Sequence, residues 1–123
     1  MDKRLEKALE FSNFRMILST RQENLKVLMN NRLILSYEGG LFKVDRNLLG
    51  FLGVLTISGI KEFIFIDSND IPVLIKNVQD FCDQCLNKYN DVLRQYYNSY
   101  QKLSEAREIR KVIEWNDEEE KDG

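Results

Sequence analysis

The sequence predicts an α+β protein with the element order αββαββα. Near both ends of the chain, apolar residues recur every three or four positions, as in helices with one buried face. Between these ends, two segments rich in β-branched and aromatic residues are each interrupted by a turn sequence, as in β-hairpins. We expect the hairpins to form one small four-stranded antiparallel sheet, with the N-terminal helix and a long C-terminal helix packed on it.

The first helix is predicted over about residues 2–30. Its apolar stripe has heptad-like spacing and consists of Phe11, Phe14, Leu18, Leu25 and Leu28, widened by Leu5, Leu9 and Ile17. Arg21 falls within this stripe, where its charged head would remain in water. We therefore expect the packing of the helix to end, or to leave a gap, at that residue.

Two strands follow, over residues 32–37 and 41–44. The turn sequence Glu38-Gly39-Gly40 joins them into the first antiparallel hairpin. The second hairpin is predicted from strands over residues 62–66 and 71–75. Because Pro72 cannot donate a ladder hydrogen bond, its strand should lie at a sheet edge.

A helix over residues 46–57 is predicted between the hairpins. Asp45 can cap it by accepting free amide hydrogens, and Gly59 can end it in a left-handed conformation. Gly50 and Gly53 each lower helix propensity by about 1 kcal/mol relative to alanine. We expect this loss to be compensated by a close approach to another element.

The last third of the chain predicts one long amphipathic helix from Asn77 to about Ile113, because no Gly or Pro interrupts it. Asn77 and Asp80 resemble a capping pair. The apolar or small residues of its stripe are Val78, Cys82, Cys85, Tyr89, Val92, Tyr96, Ser99, Leu103, Ala106 and Ile113. At roughly 55 Å the helix outreaches a small domain, so the first helix, a second copy or a partner must cover part of it. We expect the first helix to pack antiparallel against its proximal part.

The length of 123 residues favours a single domain, here residues 1–116. The net charge of −2 creates no global field that would attract nucleic acid or an anionic membrane. Residues 117–123 contain five acidic residues and one lysine, a net charge of −4. We predict a solvated, disordered tail there, and an electrostatic mimic or autoinhibitory strip is the alternative.

No apolar run approaches the roughly 18 residues that cross a bilayer, and the N-terminus lacks the features of a signal peptide. We therefore expect a cytoplasmic protein that does not enter a membrane. The chain has no histidine, which removes the commonest general base and the commonest zinc ligand. We predict no enzymatic activity, no catalytic residues, no cofactor and no metal.

Cys82 and Cys85 form the one motif that resembles a redox or zinc site. A redox pair needs its first thiol at a helix N-terminus, whereas this pair begins about a turn inside the helix and on its apolar stripe. We interpret both as small core residues, since zinc would need a second pair from another chain. Asp67, Asn69 and Asp70 are interpreted as turn formers, because their loop is too short for calcium.

The distal half of the long helix interleaves basic residues with tyrosines, namely Arg94, Tyr96, Tyr97, Tyr100, Lys102, Arg107, Arg110 and Lys111. Such a composition can follow phosphates and stack on unpaired bases. The same tyrosines also suit an interface between helices. We favour the interface, because Glu105, Glu108 and Glu114 dilute the positive charge.

Four stretches carry a resemblance to a known group of proteins: residues 5–11, 35–42, 65–72 and 103–107. Together they resemble small uncharacterised accessory proteins of large contractile-tailed bacteriophages. The resemblance covers most of the chain and carries over no functional residues. It implies a phage-encoded accessory or virion-assembly protein without enzymatic role, located in the host cytoplasm or associated with the virion.

The sequence thus predicts a non-enzymatic interaction or assembly protein that associates through its long helix, as a homo-oligomer or in a larger assembly. The residues expected to form the contact are Tyr89, Tyr96, Tyr97, Tyr100, Leu103 and Ile113, with Phe14, Leu18 and Leu25 as their partners. The alternative is an accessory factor that binds single-stranded nucleic acid or a nucleic-acid-processing complex.

Overall fold

The computed structural model describes the backbone of residues 2–122 and the side chains of residues 2–108. Its elements are helix α1 (Lys3–Arg32), strands β1 (Ile34–Tyr37) and β2 (Gly40–Lys43), helix α2 (Arg46–Ile57), strands β3 (Phe63–Ile66) and β4 (Pro72–Ile75), and helix α3 (Val78–Asp122). The predicted α+β class and element order are therefore confirmed.

Two residues with positive φ form the turn of the first hairpin. Tyr37 pairs with Gly40, so that only Glu38 and Gly39 lie between the strands. Their φ angles of 49° and 79° are those of a type I′ turn, whose twist matches that of the two strands. Gly39 adopts this conformation without steric cost, whereas Glu38 does not.

The hairpins form two separate two-stranded sheets instead of the single four-stranded sheet that we expected. The loop of the second hairpin, and not one of its strands, meets the first hairpin at β2. Leu41 donates its amide hydrogen to Asp67 Oδ2 over 3.3 Å, and its carbonyl accepts from the Ser68 amide over 2.8 Å. Because the loop occupies both backbone groups of Leu41, no strand can extend the ladder there.

Asp67 organises the loop of the second hairpin. Its Oδ1 accepts hydrogen bonds from the amides of Asn69 and Ile71, each over 2.9 Å. These donors, that of Ile71 first, lower the pKa of the Asp67 carboxyl, together with the amide of Leu41 and against the effect of burial. The interpretation of Asp67 as a turn former is confirmed.

Both predicted caps of α2 are present. Asp45 Oδ1 accepts the amide hydrogen of Leu48 over 2.8 Å. At the other end Gly59 has a φ of 73°, and the amide of Ile60 donates to the carbonyl of Leu55 over 3.0 Å. This is the hydrogen bond of a Schellman motif, in which a left-handed residue satisfies the last free carbonyls of a helix.

The close approach expected at Gly50 and Gly53 is absent from the described part of the chain. A Cβ atom built on either glycine would meet no other heavy atom within 4 Å. Val54 and Ile57 of the same helix are exposed. The glycines therefore leave one side of α2 flat and uncovered within the described residues.

Helix α3 begins at the predicted cap, where the Asp80 amide donates to Asn77 Oδ1 over 3.0 Å. It ends at Asp122, beyond the predicted end near residue 113. Helical backbone thus includes most of the acidic segment that we expected to be a disordered tail. The physical reason is that residues 114–122 contain neither Gly nor Pro and several strong helix formers.

The chain divides into two compact units. The helical unit consists of residues 1–28 and 96–123, and the hairpin unit consists of residues 29–95. The main core lies in the hairpin unit and contains Phe42, Val44, Leu52, Leu55, Phe65, Val73, Ile75, Val78, Phe81, Cys82 and Cys85. This division does not test whether either unit folds alone, so the single-domain assignment stays a prediction.

Within the helical unit, α1 packs along the distal part of α3 instead of the proximal part that we expected. The proximal turns are already occupied, because Val78, Phe81 and Cys85 are fully buried in the core beneath the hairpins. A second helix has no room on that face.

Candidate interaction surfaces

The contact between α1 and α3 in the helical unit is shallow. No residue of α1 is buried. Half-buried residues recur along it with heptad spacing, namely Phe11, Phe14, Leu18, Gln22 and Leu25, and we call them the helix seam. Leu18 and Gln22 of the seam line one cavity with Tyr100 and Leu103 of α3. Two helices thus share a groove without enclosing a core.

A second apolar row lies on the opposite side of α1. It consists of Leu5, Leu9, Met16 and Val27, which we call the outer stripe, and these residues are between 46% and 66% exposed. With 3.6 residues per turn, the four positions lie within about 40° of one another and about 160° from the seam. The sequence pattern predicted a single apolar stripe that contained Leu5 and Leu9 together with the seam residues.

The predicted interface residues fall into three environments. Half-buried in the helical unit are Phe14, Leu18, Leu25, Tyr96 and Leu103. Tyr89 belongs to the hairpin unit, where it packs against the core. Tyr97 and Tyr100 are exposed, and the ring centroid of Tyr100 lies 6.3 Å from that of Tyr96. Ile113 lies outside the described side chains.

The cavity between α1 and α3 has a volume of about 150 Å³ and carries positive charge. Arg15 and Arg107 both line it, together with Ser19, Ser104 and Tyr100. Arg15 also lies over the Phe11 ring, with its guanidinium carbon 5.8 Å from the ring centroid. Guanidinium and hydroxyl donors together favour an anion.

The second hairpin is apolar on both faces. Its inner face, formed by alternate residues of β3 and β4, belongs to the core through Phe65, Val73 and Ile75. The other residues of the strands, Ile64, Ile66, Pro72 and Leu74, form what we call the hairpin outer face, and all four are exposed. Antiparallel sheets with one solvated face normally alternate apolar and polar residues.

The first hairpin shows that normal alternation. Its outward row pairs Ile34 with Lys43 and Ser36 with Leu41, so that a polar residue stands in each pair. The hairpin outer face has no polar side chain in either of its pairs, which are Ile64 with Leu74 and Ile66 with Pro72. The difference marks the second hairpin as a candidate binding surface.

The two cysteines are packing residues. Cys82 and Cys85 are both buried and neither forms a disulfide. Burial, and secondarily the neighbouring Cys82, raises the pKa of Cys85 to about 12, so its thiol stays protonated at neutral pH. The core interpretation is confirmed. Among the described residues, no three potential ligands of the types His, Cys, Asp and Glu form a metal-binding group.

No protein-family model, no curated protein and no solved structure matches the chain. Among the described residues, no helix combines the length and the apolar character that crossing a membrane requires.

Proposed function

We propose that the protein is a non-enzymatic interaction protein that associates with a second copy of itself through its helical unit. The observation that carries this proposal is the outer stripe of α1, an apolar row on a helix that has no buried residue of its own. Transfer of a leucine or methionine side chain from water into an interface contributes about 1.5–3 kcal/mol. A partner that covers the stripe would complete a bundle that the chain leaves half built.

A second copy suits the stripe because three of its four residues, Leu5, Met16 and Val27, are spaced symmetrically about Met16. In an antiparallel pair of α1 helices with a two-fold axis at Met16, Leu5 faces Val27 of the partner helix and Met16 faces its own counterpart. Leu9 faces Glu23 of the partner helix, an exposed residue that pairs with Lys26 of its own helix over 3.4 Å. Ser12 faces Thr20, and both are small and exposed. Self-complementarity of this kind is what an isologous interface requires.

Sedimentation velocity of the purified chain and of Met16→Lys tests this proposal. The substitution would place two ammonium groups together at the two-fold axis, so we expect dimerisation at least about a hundredfold weaker than in the wild type. Ile17→Lys is the matched control, since Ile17 is an adjacent exposed residue about 95° away from the stripe. Equal effects of both substitutions, or a monomeric wild type at high micromolar concentration, would overturn the proposal.

A second candidate function is binding of single-stranded nucleic acid. It is favoured by the cavity in which Arg15 and Arg107 converge beside Tyr100, and by the exposed Tyr97 ring nearby in the sequence. Arginines that follow phosphates and aromatic rings that stack on bases are the usual components of such sites. We rank self-association above nucleic-acid binding, because the outer stripe contains no charged residue that could contact a phosphate backbone.

Fluorescence anisotropy with a labelled oligothymidylate tests the second candidate. The full chain and a chain without residues 117–123 should both bind in low salt, and Arg107→Gln should reduce the salt slope by about one. Arg21→Gln is the control, since Arg21 is exposed and does not line the cavity. Absence of salt-sensitive binding in both chains rejects this function.

The resemblance to phage accessory proteins remains a prediction, as does location in a host cytoplasm or a virion. The association proposal rests on helix surfaces and does not depend on either.

A further inference from the structure

The cavity of the helical unit brings together two positive charges that no negative charge balances. Arg15 of α1 and Arg107 of α3 both line it, and no acidic residue does. Among the described residues, no carboxylate forms an ion pair with either arginine. Two cations that border the same small space repel each other in the absence of an anion. The cavity therefore has the charge of an anion-binding site.

Each of the two helices contributes an arginine and a serine to this cavity. On α1, Ser19 follows Arg15 by four positions, and on α3, Arg107 follows Ser104 by three. Residues at these spacings lie on the same face of a helix, one turn apart. All four line the cavity, so hydrogen-bond donors of both types are available on both of its sides.

A ring contact holds Arg15 without using its hydrogen-bond donors. The guanidinium carbon lies 5.8 Å from the centroid of the Phe11 ring. An aromatic ring interacts with the flat face of a guanidinium, whose N–H groups point outward in its own plane. Arg15 can therefore contact Phe11 and bind an anion at the same time. Tyr100 also lines the cavity, and its phenol is a further potential donor.

The volume of the cavity limits what it can enclose. It measures about 150 Å³, roughly five times the 30 Å³ that a water molecule occupies in the liquid. Pockets that enclose a whole drug-sized ligand have about 300–1,000 Å³. One phosphate group fits such a space, whereas an attached sugar or base would remain outside. The tetrahedral arrangement of its oxygens also suits guanidinium groups that approach from two different helices.

We propose that this cavity is a binding site for a single phosphate group, either inorganic phosphate or the head of a small phosphate monoester, bound between Arg15 of α1 and Arg107 of α3. Because no residue of α1 is buried, a ligand held by both helices would stabilise their contact. The site does not depend on self-association. It differs from the nucleic-acid site of the second candidate function, because one phosphate group is bound and no base is recognised.

Isothermal titration calorimetry of the full chain with sodium phosphate, at neutral pH and constant ionic strength, tests the site. We expect saturable binding, and no saturable binding of chloride. Arg15→Gln and Arg107→Gln should each weaken phosphate binding at least about tenfold, because each removes a charged hydrogen-bond donor. Arg21→Gln is the matched control, since Arg21 is exposed and does not line the cavity. It should leave the affinity within about twofold of the wild type.

Thymidine monophosphate distinguishes a phosphate site from a nucleotide site. It should bind within about threefold of the affinity of inorganic phosphate, because the cavity encloses only the phosphate group. Binding more than about tenfold tighter than that of phosphate would show recognition of the nucleoside and would overturn the proposal in favour of the second candidate function.

Hydrogen exchange measures whether the ligand connects the two helices. At a phosphate concentration of ten times the dissociation constant, separation of α1 from α3 should become about tenfold rarer. Amides of α1 should then exchange more slowly by up to the same factor, while those of β1 to β4 should not change. Unchanged exchange in α1 overturns the proposal, as does the absence of saturable binding at tens of millimolar phosphate or an equal loss in Arg21→Gln. Self-association is measured without phosphate, so none of these results affects it.

Discussion

Tyr37 joins the first hairpin to α3 through one polar contact. Its hydroxyl donates to Asp80 Oδ2 over 2.8 Å, and its ring centroid lies 4.8 Å from that of Phe81. Burial disfavours the ionised phenolate, and the hydrogen bond and negative charge of Asp80 disfavour it further. Together with the smaller effects of Glu38 and Cys85, they raise the pKa of Tyr37 to about 12.

The shifted pKa makes stability depend on alkaline pH. Above pH 10 the phenol of the unfolded chain loses its proton, while that of the folded chain keeps it up to about pH 12. The unfolded state therefore binds fewer protons in this range, and the free energy of unfolding should fall as the pH rises from 10 to 12. Urea unfolding at several pH values measures this slope, which should be smaller in Tyr37→Phe. An unchanged slope in that variant would contradict the assignment.

Single residues whose role is local were predictable, and those with distant partners were not. The caps formed by Asp45, Gly59 and Asn77 depend on neighbours within a few positions, so the sequence pattern identified them. Gly40 is different. A Cβ atom there would lie 2.8 Å from Val73 Cγ2, a contact between two hairpins that no local pattern reveals. The link from Asp67 to Leu41 escaped prediction for the same reason.

At the scale of elements, the turn of the first hairpin contains a correctable strain. Glu38 has a φ of 49° in a position that favours Asn or Gly. We expect Glu38→Asn to raise the free energy of unfolding by about 0.5–1 kcal/mol, because left-handed conformations cost most residues about 1–2 kcal/mol and asparagine less. Chemical denaturation of the two proteins measures this difference.

The control for this substitution is Glu62→Asn, which changes the same side chain outside a turn. A stabilisation of equal size in both variants would mean that removal of a negative charge, and not relief of the turn, is responsible. If Glu38→Asn does not raise the free energy of unfolding, the positive φ of Glu38 does not strain the turn.

Element identities were predictable because each has a strong local signal, whereas their partners depend on competition for the same surface. The two hairpins were expected to share a sheet. Instead, the loop around Asp67 is hydrogen-bonded to the edge of β2 at which a further strand would pair. Likewise α1 was expected along the proximal part of α3, which the hairpins already cover. Periodicity in a sequence shows which face of a helix or strand is apolar, but it does not show which neighbouring element covers that face.

At the scale of the whole molecule, the two compact units differ in how much they bury. The hairpin unit holds the main core, whereas α1 has no buried residue. Protection of amides from exchange with solvent increases with local burial and packing. Amides of α1 should therefore exchange faster than those of β1 to β4, and dilution that dissociates the proposed assembly should accelerate exchange in α1 further.

Hydrogen exchange followed by mass spectrometry, at two protein concentrations, measures this contrast. Met16→Lys provides the reference, since its α1 should exchange at the rate of the dissociated protein at both concentrations. If the amides of α1 exchange as slowly as those of the hairpins, at both protein concentrations, then α1 is not a helix that a second copy must cover.

The candidate surfaces were predictable only in part. Half-burial along α1 and α3 was expected from their stripes, and Tyr97 and Tyr100 are exposed. The outer stripe was missed because Leu5 and Leu9 were counted with the seam, although Met16 and Val27 continue their row. The hairpin outer face was visible as an unbroken apolar sequence in β3, but such a run equally suits a strand buried on both sides.

The second hairpin is synthesised before the helix that covers its inner face, and this order affects how the chain folds in a cell. β3 and β4 are synthesised before α3, so the core side chains Phe65 and Ile75 are without their helix while the outer face has no partner either. During translation this segment is a ribbon apolar on both sides, which is the composition most prone to pair with other nascent chains. Yield of intact protein in a cell would then depend on how quickly the first turns of α3 emerge and fold over Phe65.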